Sequence, residues 1–376
     1  MKILFFTHYG ELYGANRSLL DLLDNQDIFL PIVVCPKKGE FYLEIKKRNI
    51  RCYPLKILPL FGLKKRIFPL MFLSKVINNI VSLFLLIIIL FWNNIDFIYS
   101  NSSVITIGLI LSKITNKRHI WHIRELYDLH YNLKFYFGDK VFKYLVSKSD
   151  IVISISHYVE NVTLKGIDVH KYVIYDGTKY PPDFIKKIDK EKYLVGNISF
   201  GIVGKIYPQK NIHIVLNAFN KFSLLFPKSS LMVIGDVHDK EYYESLKVIA
   251  DNNNVIFTGH IREINEIYKK FDILIMSSEH EGLGRAVFEA MSFGIPVIGN
   301  NSGGIPELIE HGIDGLLYSG TTDDLYDKMK FIISDYERFD SIRLNGLSKV
   351  EKNFSVNNYS SQIIDIIQKL YERSLS

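Results

Sequence analysis

The stretch Ser277–Glu310, SSEHEGLGRAVFEAMSFGIPVIGNNSGGIPELIE, restricts the folds open to this chain more than any other. It follows an apolar strand, FDILIM, that ends at Met276. Ser277–Gly284 is small and polar, as a strand-to-helix loop should be. Arg285–Phe293 then reads as a helix with Ala286, Phe288, Ala290 and Met291 on its apolar side. Gly294 falls just past the last turn and Pro296 forbids continuation. Pro296–Gly299 is a short buried strand, and Ser302–Pro306 leads into a second helix with proline in its first turn. Two helix N-termini behind glycine loops therefore lie at the carboxyl ends of neighbouring strands. Open α/β sheets bind ligands at that edge, where free backbone N–H groups favour a phosphate.

Two carboxylates frame this arrangement. Glu281 lies in the loop and Glu289 on the helix eight residues later, so they need not share a face. A carboxylate that accepts two hydroxyl hydrogen bonds is a common holder of a ribose or a sugar. The spacing E-x7-E, then G-x-P-V, then G-G-x-P-E resembles the retaining glycosyltransferases of family 4. That resemblance implies the GT-B fold, a nucleotide-diphosphate sugar as donor, and no metal or other cofactor. It also implies that Glu289 holds the ribose, that Glu281 holds the donor sugar hydroxyls, and that amides around Leu283, Gly284 and Arg285 face the diphosphate.

At 376 residues the chain suits two domains, and 48% hydrophobic residues supply two cores. A net charge of +6 suits an anionic nucleotide or an anionic membrane surface, but is too diffuse for a nucleic-acid binder. The two cysteines, Cys35 and Cys52, lack metal-site spacing and read as reduced thiols of a cytoplasmic protein. The chain begins directly with the strand ILFFTH, without the pattern of a secretion signal.

Lys2–Thr7 reads as a buried parallel strand, followed by the loop HYGELYG and a helix. Gly10 and Gly14 are spaced G-x3-G, so the dinucleotide fingerprint G-x-G-x-x-G is absent. The loop resembles the first loop of family 4, where glycine amides approach the donor phosphate and acceptor; a plain tight turn is the other reading. Leu63–Trp92 is strongly apolar with a basic opening, and its uncharged stretch, IVSLFLLIIILFW, is too short to span a bilayer. Two readings stand: a helix buried against the sheet, or a membrane-surface patch in which Lys64, Lys65 and Arg66 meet anionic headgroups beside Phe68 and Phe72. The strand HIWHIRE resembles the family's strand with a histidine at its end, which implies that His122 lies near the transferred sugar. Arg124 and Glu125 follow it. Ser156 reads as a helix cap, and Asp176 stands where the family usually has Asn.

Lys179–Lys192, with Pro181, Pro182 and eight charges, marks the domain boundary. SFGIVG, ending at Gly204, starts the second sheet. Lys205 and Lys210, five residues apart at a helix start, form a diphosphate clamp of two cations plus helix amides. Asn211 stands where the family has Gly. The exit of the strand Val255–Ile261, near His260 and Ile261, resembles the family's base-reading segment. Asp323-Asp324 is a helix start rather than a metal motif.

The expected architecture is α/β: two doubly wound Rossmann-like domains facing an interdomain cleft. An acceptor-side domain spans 1–180, a nucleotide-sugar-binding domain 193–355, and a terminal helix, 356–376, returns to the first domain. The expected function is transfer of a sugar from a UDP- or GDP-linked donor to a glycan or lipid-linked acceptor, in surface polysaccharide or glycolipid assembly. His122, Glu281, Lys205 and Lys210 carry the chemistry in that reading. A nucleotide-sugar epimerase of the same fold and a non-catalytic membrane-surface assembly protein are the alternatives.

Overall fold

A computed structural model describes residues 1–63, 69–129, 132–179, 181, 185–186, 189–250 and 254–375. The chain divides into two compact units, Met1–Gly177 with Val356–Ser376, and Thr178–Ser355.

The first unit is a seven-stranded parallel sheet. Its strands in chain order are β1 (Lys2–Phe6), β2 (Leu30–Cys35), β3 (Arg51–Pro54), β5 (Phe97–Ser100), β6 (Arg118–Ile123), β8 (Ile151–Ser154) and β9 (Lys171–Val173). They lie in the order β3-β2-β1-β5-β6-β8-β9. Two short segments, β4 (Phe61–Leu63) and β7 (Leu133–Phe135), pair antiparallel outside it. The helices are α1 (Gly14–Asp24), α2 (Glu40–Lys47), α3 (Pro69–Asn93), α4 (Ile107–Thr115), α5 (Asp139–Ser147) and α6 (His157–Thr163). The strands read as continuous apolar runs because helices cover both faces of a parallel sheet. One face packs Phe5, Val33 and Tyr99 on Leu19 and Leu22 of α1; the other packs Leu4, Val34 and Ile98 on Leu86 and Leu90 of α3. Cys35 and Cys52 are buried free thiols with sulfurs 3.6 Å apart.

The second unit repeats the plan. After α7 (Lys190–Leu194) come β10 (Ser199–Val203), α8 (Ile212–Leu225), β11 (Ser230–Ile234), α9 (Lys240–Ile249), β12 (Val255–Gly259) and α10 (Ile264–Tyr268). Then follow β13 (Ile273–Met276), α11 (Arg285–Ser292), β14 (Val297–Asn300), α12 (Ile305–Leu308), β15 (Leu316–Tyr318), α13 (Thr322–Ile333) and α14 (Tyr336–Asn353). The sheet is parallel, in the order β12-β11-β10-β13-β14-β15. The Asp323-Asp324 pair lies in the first turn of α13, where the Thr321 hydroxyl accepts from the Asp324 amide.

The last helix, α15 (Val356–Leu375), belongs to the first unit, where Tyr359, Ile363 and Ile367 are buried in the core with Phe5 and Leu19.

The apolar run before β5 is longer than the uncharged stretch that reads as too short to span a bilayer. It forms a 25-residue helix, α3, of which Leu70–Asn93 has the length and composition to cross a membrane, yet only 17% of its most apolar window is buried. Only one stripe packs on the sheet, so a fully buried helix is not what forms. Lys64, Lys65, Arg66 and Phe68 lie outside the described residues.

Candidate functional site

Each sheet reverses its strand order once, between β1 and β5 in the first unit and between β10 and β13 in the second. The loops leaving adjacent strands diverge there, and the crevice outside the carboxyl ends is where such sheets take ligands.

In the second unit the residues from β10 and β13 meet across that crevice. β10 ends at Val203, and Gly204 follows at φ 143°. A Cβ on neighbouring Gly235 would stand 1.9 Å from the Gly204 carbonyl oxygen, so that exit must be backbone alone, while Gly204 is constrained by its φ rather than by space. Lys205 is half-buried. A single 3₁₀ turn, Pro208–Lys210, leads to Asn211 at φ 50°, ψ 34°, which opens α8. The turn needs a left-handed residue, and Asn tolerates that conformation where Gly is the usual choice. Lys210 Nζ thus reaches Glu281 Oε2 at 2.8 Å, with the two side chains only 13% and 18% exposed. Burial works against the Lys210 charge, but Glu281 and Tyr207 beside it outweigh burial and hold its pKa above the ordinary lysine value. The Tyr207 ring centroid lies 5.8 Å from Nζ. Ser277 Oγ donates to the Lys210 carbonyl at 2.6 Å and fixes one loop to the other.

The glycine pattern is a packing requirement as well. Gly303, at φ 67°, and Gly304 lie against the backbone of residues 280–283; a Cβ on either would stand 2.6 and 2.4 Å from the Glu281 and Gly282 carbonyl oxygens. The Gly304 amide donates to the Glu281 carbonyl at 2.8 Å. Any side chain here would push the β13 loop, and Glu281 with it, away from Lys210. Gly284, at φ 93°, caps α11 without a side-chain hydrogen bond, with Leu283 buried before it.

Glu289 is 2% exposed and its two oxygens are engaged: Arg285 Nε donates to Oε1 at 2.6 Å and the Tyr268 hydroxyl to Oε2 at 2.9 Å. A carboxylate has further lone pairs, so a ribose hydroxyl would join this cluster rather than meet a lone Glu289. The Arg285 side chain is therefore part of the site, beyond its amide, and Tyr268 had no signal in the sequence beyond its place five residues before the β13 strand. His260 stands at the exit of β12, 3.4 Å from Asp236 and 44% exposed, with Ile261 half-buried beside it.

In the first unit His122 is set deeper than a place at the strand exit implies. It lies within β6, is fully buried, and shares a 2.6 Å hydrogen bond between Nδ1 and the Tyr99 hydroxyl; Nε2 has no partner. Burial, and then neighbouring Arg124, push its pKa well down, so the ring is neutral. Strand alternation turns position 122 into the sheet's covered face instead of leaving it at the exit. Arg124 is buried with it: NH1 donates to Asp176 Oδ1 at 2.7 Å, NH2 to the Tyr359 hydroxyl of α15 at 2.7 Å, and Nε to Asn101 at 2.6 Å. Asp176 is thus the counter-ion of a buried guanidinium, which explains a carboxylate where a turn amide was expected. Gly10 packs on Gly39, where a Cβ would stand 2.4 Å from the Gly10 carbonyl oxygen; Gly14 is the first residue of α1.

Two residues past β6, Glu125 reaches the loops that follow β1 and β5. It is 12% exposed, stands 3.9 Å from His8 Nε2 of the β1 loop, and accepts from Ser102 Oγ of the β5 loop. Burial raises its pKa to about 7, against the opposing pull of Ser102 and Arg124. Only its position two residues past the apolar strand distinguished it in the sequence. Among the described residues no three His, Cys, Asp or Glu side chains cluster as metal ligands would. A concavity lined by Arg118, Asp150, His170 and Arg373 lies at the opposite, amino-terminal edge of β6 and β8, away from the crevice of that unit.

Comparison with known proteins agrees with this layout. The chain is 28% identical over 281 residues to an uncharacterized glycosyltransferase, MJ1178, of Methanocaldococcus jannaschii, covering 70% of this chain and 72% of that protein. It is 28% identical to the O-antigen biosynthesis glycosyltransferase WbnH of Escherichia coli, over 60% of this chain and 62% of that one. Anabaena HepE, whose crystal structure is in complex with UDP, superposes with a TM-score of 0.79 at 22% identity, over 98% of this chain and 100% of that one. Residues 184–348, nearly the whole second unit, match the family described as Glycosyl transferases group 1. Through that unit the chain is similar to the glycosyl transferases group 1, and it has the GT-B fold.

Proposed function

We propose that this protein is a retaining, metal-independent, hexosyl-type glycosyltransferase that takes a nucleotide-diphosphate sugar as donor and a glycan or lipid-linked molecule as acceptor, in cytoplasmic assembly of a surface polysaccharide or glycolipid. The observation that carries this reading is the Lys210–Glu281 pair at the β10/β13 crevice. It is a cation held ready by an anion. A diphosphate arriving beside Lys205 and Lys210 competes for the ammonium, and the carboxylate it displaces is free to bind donor hydroxyls. The two lysines and the α11 amides stabilise the leaving diphosphate, as a metal does elsewhere. Glu289, placed by Arg285 and Tyr268, takes the ribose. His260 and Ile261, at the end of β12, lie against the base.

His122 acts at one remove, by keeping Tyr99 and Arg124 in place. Glu125, with His8, is the acceptor-side carboxylate of the first unit. Anabaena HepE holds UDP or UDP-glucose, which favours uridine over guanosine. WbnH, an O-antigen biosynthesis enzyme, favours the polysaccharide role.

Thermal shift against UDP, GDP and their sugars, with and without EDTA, tests the donor site. Stabilisation by one base series, retained in EDTA and lost in Lys210→Ala and Glu289→Ala, is the expected result; no stabilisation by any member removes the reading. NMR of the product anomer tests retention, and a freed nucleotide sugar altered at one carbon would signify an epimerase.

A further inference from the structure

We propose that α3 is a lipid-contacting element that lays this protein in the plane of an anionic bilayer surface. The helix is amphipathic with its sides reversed. Most of its polar residues face the protein: Lys75 donates to the Phe61 carbonyl at 2.7 Å, Asn79 exchanges hydrogen bonds with Leu58, Ser82 donates to the Lys56 carbonyl, and Asn93 donates to Tyr53. Leu86 and Leu90 complete that inward stripe in the core. The opposite stripe is apolar and open: Leu73, Ile77, Ile80, Phe84, Ile88 and Phe91, spaced by three and four residues, are each half exposed or more. Trp92, at the helix end, is 85% exposed. An apolar face two dozen residues long, about 36 Å at 1.5 Å per residue, is far larger than isolated surface hydrophobics.

Charge selects the occupant. Between Glu44 and Asp96 the sequence contains nine Lys and Arg and no Asp or Glu. An anionic headgroup layer complements such a stretch, each cation adding to attraction near the surface. A second copy of the chain would bring the same nine cations against them. A spanning helix would have to release Lys75, Asn79, Ser82 and the Leu86–Leu90 stripe from the unit they hold together. The helix lies on the membrane instead, with Trp92 at headgroup depth. This inference does not depend on the glycosyltransfer reading.

The experiment is vesicle flotation of the full chain with phosphatidylcholine alone and with phosphatidylcholine plus phosphatidylglycerol. Two variants accompany it: Phe84→Asp/Ile88→Asp on the outward stripe, and Lys64→Glu/Lys65→Glu/Arg66→Glu before the helix. Wild type floats with the anionic vesicles, and salt weakens the binding. Each variant loses about tenfold or more in partition while its thermal unfolding stays within a few degrees. Equal flotation of wild type and both variants overturns the proposal. So does resistance to alkaline carbonate extraction, which marks a spanning helix. A lipid-free dimer that Phe84→Asp/Ile88→Asp dissociates, without vesicle binding, assigns the face to a second copy.

Discussion

The two crevices occupy the same place in two sheets of the same plan, yet they use charge in opposite ways. At β10/β13 the charged pair, Lys210–Glu281, keeps an edge in solvent and has partners that a ligand can replace. In the first unit the pair Arg124–Asp176 lies deeper, with side chains 3% and 7% exposed, and every arm of the guanidinium is engaged. A charge that can change partners is suited to binding; one whose partners are all fixed is suited to holding a fold. The Tyr359 contact makes the second case concrete, because it ties α15 to β6 across 235 residues of chain.

The largest expected effect comes from breaking the fixed pair. Arg124→Met leaves Asp176 buried without its counter-ion and should cost the first unit about 3–5 kcal/mol in chemical denaturation. Arg124→Met/Asp176→Asn should recover much of that loss. If Arg124→Met folded with wild-type stability and lost transfer, the contrast between the crevices would collapse. Next in size, Lys210→Ala should lower kcat/KM by roughly 10²- to 10³-fold, about 3–4 kcal/mol of transition-state stabilisation, with a much smaller change in stability. A Lys210→Ala enzyme with unchanged UDP affinity and rate would remove the donor clamp.

The second crevice was legible in the sequence because backbone geometry leaves a residue signature. Gly204, Gly284, Gly303 and Gly304 mark positions where a Cβ or an ordinary φ is excluded, and their spacing located the loops and helices around Glu281 and Lys210. The first crevice has no such signature. Gly10 marks only a close approach of the Lys37 side chain, and His122 and Glu125 sit three residues apart at one strand end. Which of them faces solvent depends on strand alternation and on where β6 stops, and a sequence leaves that uncertain by a residue or two. α3 stayed open between two readings for a related reason: composition shows that a helix is apolar but not which stripe packs, and here Asn79 and Ser82 face inward while Phe84 faces out.

Acid exposes a third, smaller difference. Burial, and then Lys113, push His119 down to about 3, and burial holds His122 far below 6.5. Both are neutral when folded and gain protons on unfolding, so stability is lost as pH falls below about 6.5. The slope is about 1.4 kcal/mol per pH unit for each imidazole. His122→Phe should flatten that acid limb. Glu125 acts with the opposite sign: with its pKa raised from 4.5 to about 7, the folded state keeps a proton that the unfolded chain has lost, so its contribution falls as pH rises from about 4.5 to 7. Glu125→Gln should remove that decline. It should also erase any rise of kcat/KM through pH 7, if the ionised carboxylate orients the acceptor. A pH–rate profile unchanged in Glu125→Gln would restrict this residue to structure.

The smallest effect tests whether local backbone geometry sets the exchangeable pair. Asn211 holds a left-handed conformation immediately after Lys210, and that turn aims the ammonium at Glu281. Gly adopts the same conformation freely, so Asn211→Gly should change stability by no more than about 0.5 kcal/mol and leave UDP affinity alone. A β-branched residue resists it, so Asn211→Val should cost about 1–2 kcal/mol. The strained turn can relax only by moving Lys210, so the same variant should weaken UDP in the thermal-shift assay. Loss of stability without loss of affinity would mean that Glu281 and Tyr207 alone place the ammonium, and that the turn merely tolerates Asn.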